Sequence, residues 1–139
     1  MKKFCFILFF LALTFPTISK AQRPDYRVVF DLTSKDSVNQ ALVIRWIHEI
    51  MDNNPEAKVE VVLFAQGVDF VVKDKSVAGN EVTKLSGNKN ISFRICAIAM
   101  KNHHLDKSQL LPGVEIVPDG IYEIVSKQRE GWGYVKVSH

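Results

Sequence analysis

Three short runs rich in β-branched and large apolar residues constrain this chain more than any other feature. They are Arg27-Val-Val-Phe-Asp-Leu32, Val59-Glu-Val-Val-Leu-Phe-Ala65 and Ile91-Ser-Phe-Arg-Ile-Cys-Ala97. Each reads as a strand, and the near-continuous apolar character of the second suits a strand covered on both faces. In the third, Ile91, Phe93 and Ile95 alternate with Ser92, Arg94 and Cys96, which puts Arg94 and Cys96 on one face with Cys96 at the C-terminal end. Between the first two runs, Val43, Ile47, Ile50 and Met51 recur at helical spacing opposite Arg45, His48, Glu49 and Asp52, predicting an amphipathic helix over Ser37–Asn53. Asp36 or Ser37 caps its start, and Asn53-Asn54-Pro55 stops it.

Further along, Gln66-Gly67 marks a turn, Val68 to Asp74 a short helical piece, and Asn80 to Leu85 another. The polar segment Lys101 to Leu111 is read as holding a helix ahead of Pro112-Gly113. Val114 to Val117 makes a short strand, Asp119 caps a helix with Ile121, Ile124, Val125 and Gln128 on one side, and Tyr134 to Val137 forms the last strand. Strands alternating with helices predict an α/β domain with a mainly parallel sheet and helices on both faces. Sites in such sheets form beyond the carboxyl ends of the strands. Cys96, Asp31 to Ser34 and Gln66-Gly67 all fall at such ends, so three loops are expected to converge there.

The N-terminus is a different object. Lys2-Lys3, ten uninterrupted apolar residues from Phe4 to Leu13, Pro16 and the small-residue pattern Ser19-Lys20-Ala21 have the layout of a secretory signal peptide cleaved after Ala21. The apolar run is well short of the roughly 20 residues of a spanning helix, and Cys5 precedes most of it, so no lipid attachment site forms. The mature product is expected to be a single domain over residues 22–139, periplasmic or secreted, with no stable membrane span. Lys2, Lys3 and Lys20 account for the whole charge excess: 18 Lys+Arg stand against 15 Asp+Glu, and removing those three leaves 15 against 15. The basic balance therefore gives no reason to expect a nucleic-acid partner. Removing the leader also removes Cys5, one of two cysteines, and leaves Cys96 as a solitary thiol, which in an oxidising compartment is buried, paired between chains or reactive.

Cys96 is the principal candidate site residue. A strand end turning toward a helix N-terminus favours thiolate, and Arg94 on the same face adds positive potential; a free cysteine also serves as a small buried hydrophobe. Asp31, Gln66 and Gly67 are candidate neighbours from the adjoining loops. His103-His104 lacks further ligands at a recognised metal spacing, so no metal is expected. P-loop, GxGxxG, GxSxG and HExxH patterns are absent from the sequence. Trp132 and Tyr134, set among Gly131 and Gly133, suit packing or subunit contact, and Asn90-Ile-Ser92 fits a glycosylation sequon.

The third strand ending in Cys96, followed by Leu110-Leu-Pro-Gly-Val114, Val117-Pro-Asp-Gly-Ile121 and Gln128-Arg-Glu-Gly-Trp-Gly-Tyr-Val-Lys136, resembles the DsrE/DsrF-like sulfur-relay family over roughly residues 26 to 137. The resemblance implies a three-layer α/β/α sandwich with a five-stranded, mainly parallel sheet, assembled as a homo-oligomer, a trimer or hexamer. It implies that Cys96 carries sulfur as a persulfide, taken from a donor and passed to an acceptor protein or small thiol, with no cofactor. The family's relays are cytoplasmic, whereas the leader directs this chain to export. Two other roles use the same fold: a non-catalytic oligomeric binding or assembly module with a structural cysteine, and a thiol redox sensor.

Overall fold

The computed structural model describes residues 25–137; the leader expected over residues 1–21 lies outside the described residues. Five strands, β1 (Arg27–Leu32), β2 (Lys58–Leu63), β3 (Ile91–Cys96), β4 (Glu115–Val117) and β5 (Gly133–Lys136), form one sheet in the order β4-β3-β2-β1-β5. Every neighbouring pair is parallel. Four helices, α1 (Ser37–Asn53), α2 (Gly79–Leu85), α3 (Ala97–Asn102) and α4 (Gly120–Arg129), fill the connections, with 3₁₀ segments at Ala65–Val71 and Lys107–Gln109. The α/β class and the five-stranded parallel sheet are as expected from the sequence.

Strand order decides how the helices are shared between the faces. From β1 to β4 the chain steps in one direction across the sheet, so crossovers of the usual right hand all land on one face. The step from β4 back past β1 to β5 runs the other way, so α4 lands alone on the opposite face. The cores follow this division. Val28, Phe30, Leu32, Val59, Val61, Leu63, Ile91, Phe93 and Ile95 point to the first face, where Val43 and Ile47 of α1, Phe70 and Val71 of the 3₁₀ segment, Val82 and Leu85 of α2 and Met100 of α3 bury them. On the second face the apolar core is small, comprising Val29, Val62 and Ile124 with Phe64 and Trp132 at its margin.

Local rules explain most boundaries. Asp36 caps α1, its Oδ1 accepting from the Val38 and Asn39 N–H groups at 2.7 and 3.4 Å, and Asn54 closes the helix by donating its N–H to the Ile50 carbonyl. Asp119 caps α4 in the same way, accepting from Ile121 and Tyr122. Three expectations need correction. The helix expected within 101–111 begins earlier: α3 starts directly at Ala97, and the later segment holds only the 3₁₀ turn Lys107–Gln109. The second strand stops at Leu63, two residues early, because Ala65 takes a left-handed φ of 48° that a ladder cannot continue; the helical piece expected from Val68 is the 3₁₀ segment starting at Ala65. On α4 only Ile124 of the expected apolar side is buried, while Ile121 and Val125 face outward.

Candidate functional site around Cys96

Cys96 ends β3 and is the N-cap residue of α3, with backbone angles of −70° and 123° and no capping bond from its side chain. No turn separates strand from helix, so the thiol is carried at the junction itself. It is a free cysteine, only 5% exposed. Beside it lies a cavity of about 290 Å³. Its walls come from three connections beyond the carboxyl ends of β2, β3 and β4. Phe64 and Ala65 follow β2; Cys96, Ile98, Ala99, Asn102 and His103 belong to the β3–α3 junction and α3; Asp119 and Ile121 begin α4. The lining is mostly apolar. Asp119 is occupied by its cap, which leaves Asn102 and His103 as the other polar groups on the wall.

Gly120 sets the closeness of α4 to the thiol. A Cβ at this position would lie 3.2 Å from the Cys96 Cβ and 3.3 Å from both Phe64 Cδ1 and Val62 Cγ1, so a side chain here would force the helix outward or its neighbours aside.

Of the neighbours expected from sequence, none lines this cavity. Arg94 shares the face of Cys96, but its guanidinium meets three carboxylates: Glu123 at 2.9 Å, Glu60 at 3.2 Å and Glu115 at 3.4 Å. Its charge is matched by these acids and is not free for the thiol, which corrects the role expected for it. Asp31 is buried toward the β5 edge, accepting from Tyr134 Oη at 2.8 Å and pairing with Lys136 at 3.2 Å. That hydrogen bond, with burial behind it, pushes the Tyr134 phenol up to about 12. Gly67 packs where a Cβ would stand 2.0 Å from the Leu32 carbonyl oxygen, so it lets the chain pass against the end of β1; Gln66 is exposed beside it. The three strand-end loops therefore do not form one site. The β2, β3 and β4 ends do.

Sequence reasoning missed Phe64, Ala65, Asn102, His103 and Asp119 as cavity residues. It also missed Glu60, which is 1% exposed on the face covered by α4. Glu60 Oε2 lies 3.2 Å from Arg94 Nε, 3.7 Å from Lys127 Nζ and 3.4 Å from Ser92 Oγ, while Oε1 is buried with no hydrogen-bond partner. Burial pushes its carboxyl up to about 7, against the opposing pull of Arg94 and Lys127 and with the neighbouring Glu123 adding to the rise. Among the described residues, no three His, Cys, Asp or Glu side chains gather in a group able to hold a metal ion, and no helix is long and apolar enough to cross a membrane.

Residues 27–137 match the model of the DsrE/DsrF-like family. The solved structure of MTH1491 from Methanobacterium thermoautotrophicum, a protein of unknown function, is 32% identical, with a TM-score of 0.76 over 81% of this chain and 99% of that one. The ychN protein of E. coli, at 12% identity, aligns with a TM-score of 0.67 over 80% of this chain and 98% of its own. BT1422 from Bacteroides thetaiotaomicron, at 13%, aligns with 0.66 over 80% and 94%. These two share the fold. No curated protein matches the chain. With a family model spanning nearly all of the described residues and a 32% identical structure covered almost end to end, the chain belongs to the DsrE/DsrF-like family.

Proposed function

We propose that this protein is an exported sulfur carrier that works through Cys96. The observation that carries the reading is the place of this one thiol in a family generally associated with sulfur relay: it stands at the end of β3, on the wall of a cavity, at the first turn of a helix. In the first step the Cys96 thiolate attacks the terminal sulfur of a donor persulfide, R–S–SH. The donor's S–S bond breaks, RS⁻ leaves, and Cys96 becomes Cys–S–SH. An acceptor thiolate then attacks that terminal sulfur, taking it as R′–S–SH and returning Cys96 to thiolate. Neither step changes the overall redox balance, and no cofactor enters.

The mostly apolar wall gives the added sulfur a less hydrated surface than open solvent. The donor and acceptor are proteins or small thiols able to reach this wall. Incubating the purified protein with a persulfide donor is expected to add one sulfur at Cys96, detected by peptide mass spectrometry and absent in Cys96→Ser. Failure to form the adduct, together with a thiol that resists alkylation in the folded state, would overturn the reading. For export, the mature protein recovered from its compartment is expected to begin at Gln22.

A second role, as an assembly module, is supported by a specific surface. Ile121 and Tyr122 on α4 are 63% and 66% exposed, Val125 of the same helix is exposed as well, and so is Ile98, which shares the cavity wall with Ile121. Such apolar exposure suits contact with further copies of this chain, as a trimer or hexamer. If assembly is the whole function, Cys96→Ala leaves the oligomer and its partner capture unchanged.

A further inference from the structure

The charged group beneath α4 is unusual in its placement. Glu60 comes from the second strand inward from the β4 edge and is buried, with Oε1 unpartnered. Its charged partners come from β3 and α4. From β3 come Arg94 and the Ser92 hydroxyl. From α4 come Lys127, 3.7 Å from Glu60 Oε2, and Glu123, which holds both Arg94 at 2.9 Å and Lys127 at 3.6 Å. Glu115 of β4 reaches the group through Arg94, and Glu130, just beyond α4, through Lys127. On β1 the residue paired with Glu60 is the uncharged Val29; of the charged residues two positions to either side of it on the same face, Arg27 is paired with Asp25, and Asp31 with Lys136 and the Tyr134 hydroxyl. On β2 itself, Lys58 is exposed at the start of the strand. No histidine takes part; His48 pairs with Glu81, from the helices of the other face.

Four carboxylates therefore surround two cations. Because Arg94 and Lys127 already serve Glu123, Glu115 and Glu130, ionising Glu60 adds a fourth negative charge where little water reaches it. Protonated, Glu60 can instead hydrogen-bond to the Glu123 carboxylate, joining β2 to α4. Glu123 lies one turn from Asp119 and Gly120, and these residues stand at the Cys96 cavity.

We propose that Glu60 is a proton-operated latch for α4, holding the helix on the sheet when its carboxyl is protonated and loosening it, and with it the wall of the Cys96 cavity, when ionised. The latch stands whether or not Cys96 carries sulfur. It makes Glu60 a positioning residue that acts through α4 and never touches a reacting atom.

The sign follows from linkage. A seated helix keeps Glu60 at about 7, whereas a lifted one returns it toward its ordinary 4.5, so protons favour seating. Opening of α4 is expected to rise by up to about tenfold per pH unit between pH 5 and 7 and to level off above. Hydrogen exchange of the full-length protein reads this directly, as protection factors for the peptide over residues 117–129 corrected for intrinsic exchange, with α1 as the internal control. Tryptophan fluorescence gives a second reading, because Lys127 Nζ sits 5.0 Å over the Trp132 ring; a transition near pH 7 is expected, lost in Trp132→Phe.

In Glu60→Gln both the pH-dependent protection and the fluorescence transition are expected to vanish. Glu123→Gln, which keeps an acceptor but removes its charge, is expected to move the midpoint to lower pH, and it serves if the first variant does not fold. The same transition persisting in Glu60→Gln, a midpoint unmoved in Glu123→Gln, or α4 protection that tracks α1 at every pH would each overturn the latch.

Discussion

The two faces of the sheet are built on opposite terms. One is covered by three helices and a 3₁₀ segment and is mainly apolar, with Phe70 and Phe93 packed at 6.1 Å between ring centres and Phe30 stacked on Trp46 at 5.9 Å. The other is covered by one ten-residue helix and holds three buried apolar residues beside a group of buried charges. Strand order alone creates the difference, since a single reversal in the direction of travel sends a single helix to the second face. The lesson is a division of labour in which stability resides mainly in the first face. The second face, with less apolar area to lose, carries the thiol at its edge and the groups that respond to protons.

Substitutions test that division, and the largest effect belongs on the mainly apolar face. Phe93→Ala is expected to cost about 3–5 kcal/mol in urea unfolding, because a fully buried ring is removed from a core that cannot collapse around it. Ile124→Ala, on the sparse face, should stay near the lower bound of about 2 kcal/mol for such truncations. Equal costs would erase the contrast between the faces.

Next in size is the dependence of stability on pH. Glu60 has a raised folded pKa, so the folded state holds a proton that the unfolded chain releases near 4.5. Its contribution is complete below about pH 4.5, declines as the pH rises, and is gone above about 7, with a ceiling of about 3 kcal/mol. Stability–pH profiles of wild type and Glu60→Gln should therefore differ in slope between about pH 4.5 and 7 and run parallel on either side of that window, and profiles parallel across the whole range would assign the slope to other groups. Asp119→Ala removes a cap from α4 and is expected to cost about 1 kcal/mol. The smallest effect is expected from Ile121→Ser, within about 0.5 kcal/mol for the isolated chain, since the residue is exposed. If assembly uses this surface, the same change lowers the mass seen by light scattering.

Much of the fold was legible because its signals were local. The α1 helix could be read to its ends from the apolar spacing of Val43, Ile47 and Ile50, the Asp36 cap and the Asn54-Pro55 stop, all of which act within a turn or two. Helix α3 was missed because Ala97-Ile-Ala-Met continues the apolar character of β3 without a turn residue, and its N-cap is a cysteine instead of a residue that ordinarily marks a helix start. The outward-facing side of α4 was unreadable for another reason, since periodicity shows which residues share a side but not how much of that side finds a partner.

The site was half legible. Cys96 stood out by being alone, but its cavity neighbours Phe64, Ala65, His103 and Asp119 are brought to it by tertiary contacts that no spacing encodes. Glu60 left a signal that went unused. A lone carboxylate inside a run read as covered on both faces has to be buried, and a buried carboxylate needs partners.

Ala65 carries a further consequence. A left-handed backbone at a residue with a side chain costs roughly 1–2 kcal/mol, a cost that glycine would avoid. Ala65→Gly therefore trades backbone strain for greater freedom of the unfolded chain, while removing a methyl group from the cavity wall. At this position tolerance of the backbone and closeness of fit around the sulfur are opposed, so a variant as stable as the parent, or more so, would still present a roomier chamber to whatever enters it.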